Sequence, residues 1–431
     1  AGLAMMVFIW IALTYVIVAF ADLTAASFVV GSEELRGVDL AFHPGGAVAA
    51  ASVLYLLLAV TMGLLQRFAR PPLWLLTLVF VPATFGIAWL GTKLSGWLQF
   101  EQQTWALLIL GYCCVASLAP LWALLQPRGY LGGFVLYAAL ILGVIGMLFG
   151  GYEIVQPAFK TWNAGGLTGS LFPFLFVTIA CGACSGFHGL VCSGTTSRQV
   201  ESERHIQPLG YGAMLAEGFV AVISLVTVMI VAPAALEGLA PGTIYGNGIG
   251  RFLTLLIGAE HLPFAITFGA MAFATFVFDT LDVSMRLGRY LLQELAGWRG
   301  RGGAVAATLA TAAIPAALVG LGDEGGWVRF WTLFGASNQL LAALTLLAIS
   351  VWLARRGKPV ALTLVPMTFV LAMTLWALGS LAVGGLAAAR GIDVQLLNAL
   401  AAAALIALAL FLVARALLAL RRPGPAPEGP L

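Results

Sequence analysis

The sequence predicts an all-α fold: a polytopic bundle of about twelve transmembrane helices. Of 431 residues, 61% are hydrophobic and 9% charged; mean hydropathy is +1.00, far from the balance of soluble domains. The apolar residues recur in blocks long enough to cross a hydrocarbon core of ~30 Å. The loops between those blocks alternate in Lys and Arg content, as the two sides of a membrane protein do.

The predicted spans are 3–21, 44–65, 73–93, 105–125, 131–152, 171–193, 211–236, 262–285, 304–321, 330–353, 362–383 and 396–417. The chain opens AGLAMM, without a basic n-region or cleavage site. The first block is therefore a span and not a signal peptide, and the missing initiator Met implies residues before position 1. In the fourth block, LLILGYCCVASLAPLWALLQPRG, Pro120 interrupts the helix and strips it of a donor, with Gly111 and Ser117 in the preceding turns. This is either a plain proline kink or a broken helix whose backbone groups hold an ion or an anion.

The sixth block, LFPFLFVTIACGACSGFHGLVCSGTT, is the least anchor-like. Its glycines weaken a helix and let other backbones approach, and an imidazole persists at that depth only where it faces protein or a water-filled cavity. It reads as part of a polar pathway. The seventh block carries Glu217, the eighth Asp279 and Asp282, and the tenth Ser337, Asn338 and Gln339. At ~1.5 Å per residue, these groups gather between mid-membrane and the cytoplasmic face.

That face follows from charge. Fifteen basic residues (Arg67, Arg70, Arg128, Arg198, Arg204, Arg286, Arg289, Arg299, Arg301, Arg355, Arg356, Lys358, Arg415, Arg421 and Arg422) fall on one side, and six on the other. The richer side is taken as cytoplasmic, which places the C-terminus inside. One transmembrane domain is expected over residues 1–420, followed by a Pro/Gly-rich cytoplasmic tail over 421–431 that reads as disordered. A net charge of +3 then reflects topology and gives no case for nucleic-acid binding. All five cysteines lie in predicted spans, so no disulfide framework follows.

Each polar group has a bland reading beside the functional one. Asp282 and Arg286, spaced i,i+4, suit an ion pair at the inner interface. Asn338 and Gln339 act as interhelical glue or touch substrate. Glu217 is either an inert hydrogen-bonded acid or, as a carboxyl buried in hydrocarbon, a proton carrier. Cys184, His188 and Cys192 share a helical face, but residues eight apart span ~12 Å, too far for one metal ion. No metal or cofactor is expected, and no nucleotide-binding loop occurs.

The run ACGACSGFHGLVCSGTT, then GYGAMLAEGF, DVSMRLGRYLLQE and WTLFGASNQLLAA, resembles the carbon starvation protein A (CstA) family in order and spacing. GYCCVASLAPLWALLQPRGYL matches that family's proline-containing span, and the resemblance runs from Gly2 to about Leu378. Gly129 stands where the family usually has Asp, and the family's N-terminal histidine pair has no counterpart. The resemblance implies secondary active, proton-coupled uptake of peptides or pyruvate across the bacterial inner membrane in the starvation response. It marks Ser185, Gly186, His188, Ser193, Thr195, Glu217, Asp282, Ser337, Asn338 and Gln339, and leaves out Asp279. By fold-level analogy it points to a LeuT-type inverted repeat with about two helices before residue 1.

The expected substrate-binding residues are therefore Ser185, Gly186, His188, Ser193, Thr195, Ser117, Pro120, Ser337, Asn338 and Gln339. Glu217, His188 and Asp282 are expected to couple protons. The expected partners are a small-molecule substrate, a coupling ion expected to be H+ with Na+ as the alternative, and the lipid bilayer; the oligomeric state stays open. A passive channel and an intramembrane enzyme using His188 with Cys184 are the competing classes.

Overall fold

The computed structural model describes residues 2–29, 43–163, 169–194, 196–321, 327–389 and 394–421. Its helices are α1 (Gly2–Phe28), α2 (Pro44–Phe68), α3 (Leu73–Lys93), α4 (Gln102–Leu118), α5 (Leu125–Phe149), α6 (Phe176–Ile179), α7 (Gly186–Gly194), α8 (Ile206–Met229), α9 (Pro233–Leu236), α10 (Pro241–Ile257), α11 (Leu262–Ala296), α12 (Gly300–Leu321), α13 (Trp327–Arg355), α14 (Ala361–Ala388) and α15 (Val394–Arg421). Among the described residues, eleven helical segments are long and apolar enough to cross a membrane, and α4 is a shorter apolar helix. The protein is a multi-pass helical membrane bundle of about twelve spans. Thr195 and the tail beyond Arg421 lie outside the described residues.

α11 is the hub. It packs against α1, α2, α3, α4, α5, α10 and α12, and small residues such as Ala265, Gly269, Ala270, Ala272 and Ala274 are all buried on it. It runs well past the 262–285 expected. Pro263 opens its first turn, and Gly297 ends it in the left-handed conformation (φ 66°) that costs a Cβ-bearing residue energy. The largest apolar core joins α1, α4, α11, α13, α14 and α15. α3, α8 and α14 carry many exposed Leu, Val, Phe and Trp side chains, as helices bordering lipid do.

α4 ends sooner than the sequence suggested. Its last helical residue is Leu118, and Ala119 is extended (φ −65°, ψ 146°), as a residue before proline is biased to be. Pro120 thus terminates the helix and does not kink it. α5 starts at Leu125, so Arg128 is no loop residue. It is the largest fully buried side chain of the described residues, and the basic excess on the side expected to be cytoplasmic survives its removal from the count.

The segment expected to be a loop between the seventh and eighth spans contains α10, which packs along α11. Its glycines make the close approach possible. A Cβ on Gly246 would stand 2.9 Å from Ala270, and one on Gly250 would stand 3.0 Å from Ile266. Glycine weakens an isolated helix, so tertiary contact overrides propensity here.

Candidate substrate site at the break in the sixth span

The sixth span is not one helix. A π-helical turn (Leu171–Leu175), α6 and a 3-10 turn (Ala180–Gly182) lead to a break at residues 183–185, after which α7 starts at Gly186. Ser185 stands in the capping position, where its Oγ accepts the His188 amide N–H at 3.2 Å. A second cap comes from another helix. Asn338 on α13 accepts the Phe187 amide N–H at 2.6 Å and the Ser185 hydroxyl at 3.3 Å, all on Oδ1. The free amides that make a helix start an anion site are therefore partly taken by protein. Gly186 is buried in this joint, where a Cβ would overlap the Asn338 carbonyl oxygen and the Ala342 amide nitrogen.

A cavity of about 790 Å³ opens between α7, the turns after it and α8. His188 and Glu217 face each other across it, with Nε2 3.4 Å from Oε1. The Glu217 side chain is 41% exposed within the bundle, and that of His188 55%. The first half of α8, from Ile206 to Leu215, is exposed throughout. Ser185, Cys181, Glu201 and Glu203 also line it, with hydroxyls of the turns that follow α7. Among the described residues, no group of three or more His, Cys, Asp or Glu side chains converges as a metal site would require.

The remaining expected residues lie elsewhere. The Ser193 hydroxyl donates to the Leu190 carbonyl of its own helix at 3.0 Å. Ser337 is buried and donates to the Phe334 carbonyl at 2.9 Å, and Gln339 is fully buried with neither amide atom hydrogen-bonded. Ser117 is buried in α4. The backbone freed at Pro120 is occupied: Arg286 donates to the carbonyls of Ala116 and Ala119 at 2.7 and 2.8 Å.

Asp282 does not pair with Arg286. Its Oδ2 lies 2.5 Å from Nη1 of Arg128 on α5, and it accepts the Tyr112 hydroxyl at 2.8 Å. Arg286 is drawn instead to the carbonyl end of α4, which carries partial negative charge. Arg128 also donates to the Tyr112 oxygen at 2.8 Å and lies within 3.3 Å of Asp279. Sequence reasoning missed Arg128 because Gln-Pro-Arg-Gly reads as a turn. The available signal was two acids on α11 with one in-register base.

The CstA description, carbon starvation protein, covers residues 1–246 and 233–377. The pyruvate/proton symporter BtsT of Escherichia coli strain K12 is 30% identical over 79% of this chain and 60% of its own length. The peptide transporter CstA of Mycobacterium tuberculosis strain H37Rv is 30% identical over 78% of this chain and 54% of its own. That of Campylobacter jejuni strain NCTC 11168 is 31% identical over 64% of this chain and 48% of its own. The chain thus spans about half to three fifths of the length of these curated relatives. No solved structure matches it. With four ordered sequence blocks and a profile match over most of its length, the chain belongs to the carbon starvation protein CstA family.

Proposed function

We propose that this chain forms the transmembrane transport domain of a proton-coupled importer of small carbon sources, peptides or pyruvate. It sits in the cytoplasmic membrane with its C-terminal tail inside, as the basic excess of that side favours. The observation that carries the reading is the His188–Glu217 contact of 3.4 Å across an open cavity at a break in the sixth span. Histidine and carboxylate are both proton-binding side chains, and here the two face one cavity. Discontinuous helices are where transporters place substrate and coupling ion. The names of the relatives, a pyruvate/proton symporter and peptide transporters, support the same reading. They speak for transport and not for catalysis.

In this account Asn338 and Ser185 hold the start of α7, Gly186 lets α7 approach α13, and His188 and Glu217 meet substrate and proton. The cavity reaches the turns of Glu201 and Glu203, on the side expected to be cytoplasmic, so the described arrangement is open inward. The test is uptake of labelled pyruvate and of a labelled dipeptide by the full-length protein in proteoliposomes, under separately imposed proton and sodium gradients. Accumulation driven by the proton gradient is expected. Flux that only equilibrates the substrate would favour a passive pore.

A further inference from the structure

Asp279 and Asp282, one turn apart on α11, both lean on the Arg128 guanidinium. Asp282 meets Nη1 at 2.5 Å, and Asp279 Oδ1 lies 3.3 Å from Nε. Access divides the two acids. The Asp282 side chain is 3% exposed and that of Arg128 1%, whereas that of Asp279 is 33% exposed. Each acid has an Oδ1 buried without a hydrogen bond, but Asp282 also holds the Tyr112 hydroxyl through its Oδ2.

The charged and titratable groups facing the pair are Tyr55 on α2, Tyr112 and Cys113 on α4, Arg128 on α5 and Arg286 on α11. Among the described residues, Arg128 is the cation within 4.0 Å of either acid. Arg286 spends its Nη2 on the α4 carbonyls. Arg128 cannot drift toward one acid at will. Its own carbonyl accepts the Tyr55 hydroxyl at 2.7 Å, its Nη2 donates to the Thr275 carbonyl at 3.3 Å, and its guanidinium lies 5.1 Å from the centre of the Phe278 ring.

One guanidinium balances one carboxylate, so the cluster has room for one proton. A proton on Asp282 would forfeit a short ion pair wholly out of water, at the cost of leaving Arg128 with its weaker partner. A proton on Asp279 gives up a single longer contact, at the acid whose side chain the described residues leave one third uncovered. We infer that Asp279 is a second proton-binding site of this protein, separate from His188 and Glu217, with Arg128 as the fixed charge that accepts or releases its carboxylate. As a part of transport it deepens the proton-coupled reading above. The carboxylate takes a proton from water on one side, leaves Arg128 to Asp282 while protonated, and returns the proton to water on the other.

Infrared difference spectra of the full-length protein between acid and alkaline pH read protonated carboxyl groups without any transport. A carboxylic-acid band that persists in Glu217→Gln is expected to be lost in Asp279→Asn and to return, shifted, in Asp279→Glu. An Asp279→Asn spectrum identical to the wild type overturns the assignment. In proteoliposomes, Asp279→Asn should move one proton fewer per substrate than the wild type, and an unchanged ratio overturns its part in coupling. Wild-type protein that ignores a proton gradient overturns the transport reading instead and leaves the infrared assignment standing.

Discussion

Asn338 Oδ1 accepts the Phe187 amide N–H at 2.6 Å, and through that bond α13 holds the start of α7 at the break in the sixth span. The same oxygen takes the Ser185 hydroxyl, so one buried amide from a distant part of the chain organises the wall of the cavity. A break in a helix leaves backbone amides that need partners. Here the partner is itself fixed in the core, which makes the break a built geometry and not a frayed end.

Removing that acceptor uncaps α7. Asn338→Ala is expected to lower stability by ~1 kcal/mol, the usual cost of a lost N-cap, and to cut uptake more than protein level. Asn338→Asp keeps an oxygen in place and should retain more activity. Equal uptake by the Ala variant and the wild type would show that the cap does not position the site.

Gly186→Ala tests the joint sterically. The new Cβ meets backbone atoms of Asn338 and Ala342, which cannot rotate away as a side-chain tip can. Overpacking of this kind costs ~1–3 kcal/mol. Substrate affinity should fall while the protein remains folded, as measured by binding to the purified variant alongside its thermal midpoint.

The buried ion pair makes a different prediction. Taking away Asp282 leaves the buried Arg128 charge with the longer contact to Asp279 alone, a loss of up to ~3–5 kcal/mol by the scale of broken buried pairs. Asp282→Ala should therefore lower the thermal midpoint of the detergent-solubilised protein sharply, whereas Asp279→Asn, at the partly exposed acid, should move it little. Similar midpoints for the two variants would show that Arg128 does not discriminate between them.

α10 was the element least visible beforehand. Gly246→Leu forces a side chain into its contact with α11, and a loss of ~1–3 kcal/mol follows from the same overpacking argument. Leu at the exposed Gly210 of α8, which has open space around it, should be tolerated. The comparison by thermal midpoint separates packing from helix propensity.

Composition and loop charge made the bundle readable, because spans are set by hydrophobic length and the chain must satisfy its backbone within each one. The glycines made the sixth span readable as an irregular one, and the spacing of GYGAMLAEGF placed Glu217 on the helix that follows. What lay beyond reach depended on pairing across the bundle. Asp282 and Arg286 suit each other along one helix, yet each finds a better partner on another: Arg128 for the acid, and the carbonyl end of α4 for the base. Pro120 marked a break, but only the position of Arg286 shows that the freed carbonyls are already used. The Pro and Gly of α10 spell a loop by local propensity, and the glycines become packing surface once α11 is beside them.

The central claim is that Glu217 and His188 couple substrate to protons in the cavity beside the broken span. The most direct measurement is a pair of assays on full-length Glu217→Gln protein in proteoliposomes: accumulation of labelled substrate under a proton gradient, and exchange of labelled for unlabelled substrate at equal pH. The account predicts that accumulation is lost while exchange persists. Accumulation equal to the wild type would contradict it.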